Sequence, residues 1–382
     1  MKIAIPAEGD LGEQRVAATP DTVKRLIGLG ADVAVETGAG LKSGILDAEY
    51  VAAGASIAPN AADALYGAEV VLKVRRPTAY ELPAYKPGAV VLAIMDPYGH
   101  EDALAAVAQA GLSAFAMELM PRITRAQSMD VLSSQANLAG YRAIIDASSE
   151  FGRALPQMMT AAGTVTPGRV FVMGAGVAGL QAIATARRLG AVVTATDVRP
   201  ASKDQVTSLG AKFIAVEDEE FKQAESATGY AKPMSAEYQA KQAALVAEHI
   251  KKQDIVVTTA LIPGRPAPRL ITAAMVASMK PGSVVVDLAV ERGGNVEGAV
   301  AGQVTDVGGV KIIGYLNVPG RIAASASPLY ARNLFNFFET MVDKGSKALA
   351  VKWDDELVKA TLLTRDGAVV HPQFAPKTEG AV

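Results

Sequence analysis

The 382-residue chain contains no cysteine, which excludes a disulfide framework, thiolate metal sites and a cysteine nucleophile. Histidine is scarce. His100, His249 and His371 are scattered and make no metal-ligand spacing, so no metal site is expected. Charge of one sign is also missing: a formal net charge of −2 gives no electrostatic case for nucleic acid or for an anionic membrane surface. Long apolar runs are absent too. The longest uncharged stretch, 17 residues from Val170 to Ala186, lies at the lower edge of what could cross a bilayer. It carries Gln181 and three glycines, so no span is expected and the chain reads as soluble. The opening MKIAIPAEGD turns acidic by its eighth residue and does not look like a secretory leader.

What is present is core-forming material, 50% hydrophobic residues against 20% charged, in a chain long enough for two or three domains. Short β-branched runs alternate with Ala/Leu-rich stretches almost throughout. KIAIP, ADVAVET, VVLKV, AVVLAIM and SAFAME precede residue 120; RVFVMG, VVTATD, KFIAV, DIVVTTA, SVVVDLA and VKIIGY follow residue 165. Runs that are apolar throughout suit parallel strands covered by helices on both faces. The expected fold is therefore α/β, with two doubly wound, Rossmann-like domains joined by long helices. The expected boundaries are 1–132 plus 325–382 for the first domain and 133–324 for the second. DVLSSQANLAGYRAIIDASSEFGRAL reads as a linking helix, and SASPLYARNLFNFFETMV as a second long helix with Ser327 at its N-cap and Pro328 at N1. Asp366-Gly367 between two β-rich runs marks a C-terminal hairpin, expected to return to the first domain. Residues 225–242 read as a mobile loop. Met117, Met120, Met158 and Met159 read as core filler and Trp353 as a packing residue.

The clearest chemical signal is RVFVMGAGVAGLQAIATARRLGAVVTATDVR. Gly174, Gly176 and Gly179 form G-x-G-x-x-G after a strand and at the start of a helix. The first allows the tight turn, the second lets backbone approach a pyrophosphate, and the third lets helix pack on sheet. Val177 and Ala178 complete the loop, whose helix end would offer unpaired N–H groups to phosphates. Asp197, 18 residues after Gly179, ends the next strand, where a carboxylate can accept from both adenosine ribose hydroxyls. That favours NAD(H) over NADP(H), although Arg199, after Val198, weakens the exclusion by being able to pair with a phosphate.

A second signal is a crowd of polar groups. Arg122, Arg125, Gln127, Ser128, Asp130, Ser133, Ser134, Gln135 and Asn137 fall within sixteen positions at the junction of the two expected domains. They could solvate a loop and cap the linking helix, or hold a polar ligand. The local pattern leaves both open.

Three segments, MELMPRITRAQSMDVLSSQANLAGYRA, TAAGTVTPGRVFVMGAGVAGLQAIATARRLGA and TTALIPGRPAPRLIT, resemble the NAD(H)-binding component of the proton-translocating nicotinamide nucleotide transhydrogenases. The resemblance runs over nearly all the chain and is strongest from about 113 to 320. It implies that Arg122, Gln127, Asp130 and Ser133 surround a nicotinamide and its ribose. It also implies that Gly229 and Tyr230, in TGYAKPMS, belong to a loop closing over the nucleotide, with Ala260 and Leu261 among the nucleotide contacts. The implied reaction is reversible hydride transfer between NAD(H) here and NADP(H) on a partner subunit, coupled to proton movement through membrane-spanning subunits. A homodimer, held peripherally at the cytoplasmic face of the membrane by those partners, is implied as well. Direct hydride transfer needs positioning in a water-poor site rather than an acid or base, and carboxamides and hydroxyls supply positioning.

The alanine dehydrogenases share this architecture and are the competing resemblance. Their Arg and Lys are matched by Arg15 and Lys73, but Asp96-Pro97 stands where they place a His, with His100 late, and Glu291 stands where they have Asp. The acid/base for imine reduction is therefore missing. Arg15 and Lys73 are expected to be structural, pairing with Glu8 or Glu13.

Overall fold

In the computed structural model, which describes residues 1–10, 12–223 and 234–376, the chain divides into two compact units, 1–135 with 320–382 and 136–319. The first holds strands Lys2–Ile5 (β1), Asp32–Glu36 (β2), Ser56–Ala58 (β3), Val70–Arg75 (β4), Val90–Ile94 (β5) and Ser113–Ala116 (β6). A separate two-stranded hairpin follows, Met158–Thr160 (β7) with Gly163–Val165 (β8). The second unit continues with Arg169–Met173 (β9), Val192–Thr196 (β10), Lys212–Phe213 (β11), Ile255–Thr258 (β12), Val284–Asp287 (β13), Val304–Val307 (β14) and Val310–Ile313 (β15). Leu362–Arg365 (β16) and Ala368–Val369 (β17) belong to the first sheet again.

The order of the first sheet is β17-β16-β6-β5-β4-β1-β2-β3, parallel except for the returning hairpin, and that of the second is β11-β10-β9-β12-β13-β15-β14, parallel except for β14. The apolar runs explain both. β4, β5, β12 and β13 are buried almost end to end, with a hydrophobic cluster on each face of either sheet. Winding reverses between β1 and β4 in one sheet and between β9 and β12 in the other. Such reversals open a crevice at the carboxyl ends of the strands, where ligands of doubly wound sheets bind.

The fold is the expected α/β pair, with the linking helix at Val131–Glu150 and a tight turn at Asp366 (φ 51°) and Gly367 (φ 81°). Some details differ. The second long helix runs Ala323–Glu339, so Pro328 lies inside it and Ser327 does not cap it. The Ser327 hydroxyl is buried and engaged elsewhere, accepting from Val16 N at 3.0 Å and sharing a hydrogen bond with Ser43 Oγ at 2.8 Å. Much of the expected loop 225–242 is ordered as helix Ala236–Ile250, started by Ser235 Oγ accepting from Tyr238 N. Met117 and Met120 are buried as expected, but Met158 and Met159 stand out on the exposed hairpin. Trp353 packs on Phe115 with Arg365 over its ring at 3.8 Å.

Candidate functional site

In the second unit the glycine motif sits at the carboxyl end of β9, beside the reversal of winding. Gly174 has φ +104°, and a Cβ there would lie 2.4 Å from Thr259 Oγ1. A Cβ on Gly179 would lie 1.7 Å from the Gly174 carbonyl oxygen. These two glycines are therefore demanded by packing within the protein. Gly176 is different: its added Cβ would meet no atom within 4 Å. It is the N-cap of helix Val177–Arg188, and among the described residues no side chain caps that helix. Its first-turn N–H groups remain available for an anion, and the room above Gly176 lets one approach. A dinucleotide diphosphate fits this cradle.

Asp197 sits just past β10, almost buried. Its Oδ2 accepts from Ala175 N at 2.7 Å, and its Oδ1 accepts from Arg199 N at 2.8 Å. The Arg199 guanidinium donates to both oxygens, at 3.0 and 3.1 Å. A carboxylate has about four lone-pair sites, and these four donors occupy them. A ribose accepted by Asp197 would therefore displace the guanidinium contacts, so Arg199 is the movable group at that end. Val198 is exposed beside them.

Across the reversal, Thr259 follows β12 and donates from Oγ1 to the Gly174 carbonyl at 3.1 Å. Ala260 is partly covered and Leu261 exposed. Gly229 and Tyr230 lie outside the described residues.

In the first unit the polar crowd resolves into separate duties. Asp130 starts the linking helix: Oδ1 accepts from Ser133 N at 2.9 Å and Oδ2 from Ser133 Oγ at 2.5 Å. Arg125 turns away to form a bidentate pair with Asp355, at 2.8 and 2.9 Å, and reaches Glu356. Ser134 Oγ bonds Asn333 Oδ1, and Gln135 ties Arg15 to the Ala326 carbonyl. The Ser128 carbonyl accepts from both Asn333 and Asn336. Arg122 and Gln127 remain exposed on this braced turn. The structure thus brings Asp130 and Ser133 together and sends Arg125, Ser134 and Gln135 into scaffolding. Asn137 lines a hollow of 480 Å³ beside Val177, Leu180 and Gln181 in the second unit.

Arg15 and Lys73 are buried and paired. Arg15 holds Glu13 through Nε at 2.8 Å and Nη2 at 2.7 Å. Burial alone would raise the Glu13 carboxyl, but the bonds and charge of Arg15, joined by Arg75, bring it down to about 2. Lys73 Nζ lies 2.5 Å from Glu81 and 3.7 Å from Glu8, whose carboxyl burial raises against the pull of Lys73. Asp96 has φ +47°, and His100 Nδ1 is 2.9 Å from its carbonyl oxygen. Glu291 accepts from Asn317 N. Sequence reasoning did not single out Thr259, Asp287 or Asn295. They lie within or beside the strand-end segments, but a buried side chain clamping a loop has no spacing signature.

Two family models match, the alanine dehydrogenase/PNT N-terminal domain over residues 4–139 and its C-terminal domain over 143–372. The chain belongs to the alanine dehydrogenase/PNT family. It is 57% identical over 377 residues to the first of the chains that make up the NAD(P) transhydrogenase alpha subunit of Rhodospirillum rubrum, covering 97% of this chain and 98% of the relative. The crystal structure of transhydrogenase from Sinorhizobium meliloti superposes with a TM-score of 0.89 at 67% identity, covering 97% of this chain and all of that one. An L-alanine dehydrogenase superposes with a TM-score of 0.83 at 26% identity, each chain 98% covered. Within the family, the higher identities are thus to the transhydrogenase alpha subunits. No helix among the described residues is long and apolar enough to cross a membrane, and no group of side chains there could hold a metal ion.

Proposed function

We propose that this chain is the NAD(H)-binding subunit of a proton-translocating transhydrogenase. It exchanges hydride reversibly between its own NAD(H) and NADP(H) held by a partner subunit. The observation that carries this reading is the glycine cradle: Gly174 and Gly179 are imposed by packing, whereas Gly176 is open to a ligand and Asp197 lies at the adjoining strand end. Identity of 57% to a transhydrogenase alpha subunit supports the same reading.

In this reading Gly174, Gly176, Val177, Ala178 and Gly179 receive the diphosphate. Asp197 takes the adenosine ribose with Val198 and Arg199 beside it. Ala260, Leu261, Gly229 and Tyr230 border the nucleotide. Arg122, Gln127, Asp130 and Ser133 hold the nicotinamide and its ribose. When bound, the nicotinamide supplies the hydride. The chain supplies orientation and water exclusion, which is why no poised acid or base is required. Membrane-spanning partners carry the protons, and the subunit works as a homodimer at the cytoplasmic face of the membrane.

An alanine dehydrogenase is the second reading, favoured by the shared fold and by Arg15 and Lys73. The internal pairing of both cations with Glu13, Glu8 and Glu81 speaks against it, as does Asp96 at the acid/base position. The test is a titration of the purified chain with NADH and NADPH. Two assays follow, one with pyruvate and ammonium, the other with partner-containing membranes, NADPH and an NAD analogue. NADH binding with hydride transfer only after partner addition is expected. Pyruvate-dependent NADH oxidation by the chain alone would overturn the reading.

A further inference from the structure

The order of strands in the second sheet arranges the nucleotide crevice from one side to the other. Asp197 follows β10, the glycine cradle follows β9, and Thr259-Ala260-Leu261 follow β12. The next strand, β13, leads to Asn295, which is fully buried. Its carboxamide grips Ala260 on both sides of the backbone: Oδ1 accepts from Ala260 N at 3.0 Å, and Nδ2 donates to Ala260 O at 2.9 Å. The second Nδ2 hydrogen goes to the Pro268 carbonyl at 2.8 Å. The main-chain carbonyl of Asn295 accepts from Leu270 N and Ile271 N, at 2.8 and 3.0 Å. One residue thus holds the loop from Ala260 to Ile271 at both ends.

Asn295 is itself held. Asp287, at the end of β13, accepts from Ala289 N at 2.8 Å and from Val296 N at 2.9 Å. Gly294 has φ +76°, and a Cβ there would lie 2.7 Å from Asp287 Oδ2. On the other side, Thr259 passes the connection to the Gly174 carbonyl. A continuous set of hydrogen bonds and covalent neighbours therefore runs from Asp287 through Asn295, Ala260 and Thr259 to the glycine cradle.

We propose that Asn295 is a positioning residue that presets the β12 side of the nucleotide crevice. It fixes Ala260 so that the loop starting at Leu261 is ordered before ligand arrives. Preordering removes part of the entropy cost of binding and acts only on the part of the nucleotide that lies beyond the cradle. Both main-chain polar groups of Ala260 are already taken by Asn295, so the contribution is shape and rigidity rather than a new polar contact. The proposal rests on the nucleotide-binding reading given above.

The test compares NADH with AMP, which carries only the adenosine end, on wild-type protein and on Asn295→Asp. The aspartate is nearly isosteric and still accepts from Ala260 N. It sets a carboxylate oxygen against the carbonyls of Ala260 and Pro268. Expected is a loss of NADH affinity of roughly tenfold, with AMP affinity changed by less than about twofold, read by fluorescence and calorimetric titration. Faster amide hydrogen exchange in the loop Leu261–Arg269 is expected alongside. Asn295→Ser, which removes the donors without adding charge, is read in the same way if the aspartate variant does not fold. Equal losses for both ligands, or unchanged NADH affinity, would overturn the positioning role while leaving the nucleotide reading intact. Wild-type protein that binds AMP and NADH equally weakly would overturn the nucleotide reading itself.

Discussion

A methyl group distinguishes the two roles that glycine plays in the cradle. On Gly179 it would press into the Gly174 carbonyl, so Gly179→Ala is expected to cost about 1–3 kcal/mol of stability by overpacking. On Gly176 it meets no protein atom, so Gly176→Ala should fold with an unchanged urea midpoint yet lose NADH affinity by about tenfold or more, because the methyl occupies the room above the helix terminus. Urea denaturation and NADH titration of both variants check this. Equal stability losses would remove the distinction. The motif was legible at this scale because glycine spacing is local. The Arg199 contact with Asp197 was not, since sequence shows adjacency but not that four donors saturate one carboxylate.

At the scale of elements, the segment from Arg122 to Asn137 shows how a polar cluster divides between scaffold and site. Asp130 stands before the linking helix and accepts from the N3 amide of Ser133, an N-cap arrangement. Asp130→Ala should therefore cost about 1 kcal/mol in urea unfolding, while Asp130→Asn should cost only a fraction of that. If NADH affinity falls in Asp130→Asn although stability holds, the residue serves the nucleotide as well as the helix. Unchanged affinity in that variant would confine Asp130 to capping. Sequence predicted the linking helix because its pattern has helical spacing and no proline. It misplaced the start of Ala323–Glu339, because a serine-proline pair signals a helix start only when the serine is not wanted elsewhere.

Stability of the whole molecule carries a pH signature from Glu118. Its carboxyl accepts from Met95 N at 3.1 Å and from Asp96 N, and desolvation by burial raises it to about 7 against those bonds. The folded state thus holds this proton more tightly than the unfolded chain. The stability it contributes is fully present below about 4.5 and is lost as pH rises through about 7. Glu118→Gln cannot titrate. Its stability relative to wild type should therefore increase between about pH 4.5 and 7 and stay level on either side, whatever constant offset the amide introduces. Parallel curves in urea unfolding across that range would remove Glu118 as the source.

The sequence by itself determined the α/β class, the glycine cradle with its aspartate, and the returning C-terminal hairpin. Each is written in residues close together in the chain: β-branched runs, a six-residue motif, an Asp-Gly turn. Only the tertiary structure decided which polar groups are scaffold. Arg15 and Glu13 are close in sequence, but Lys73 meets Glu8, Arg125 meets Asp355 and Asn295 meets Ala260 across separations that no local pattern encodes. Burial forces such groups to find partners, and which partner each finds depends on how the sheets bring distant strand ends together.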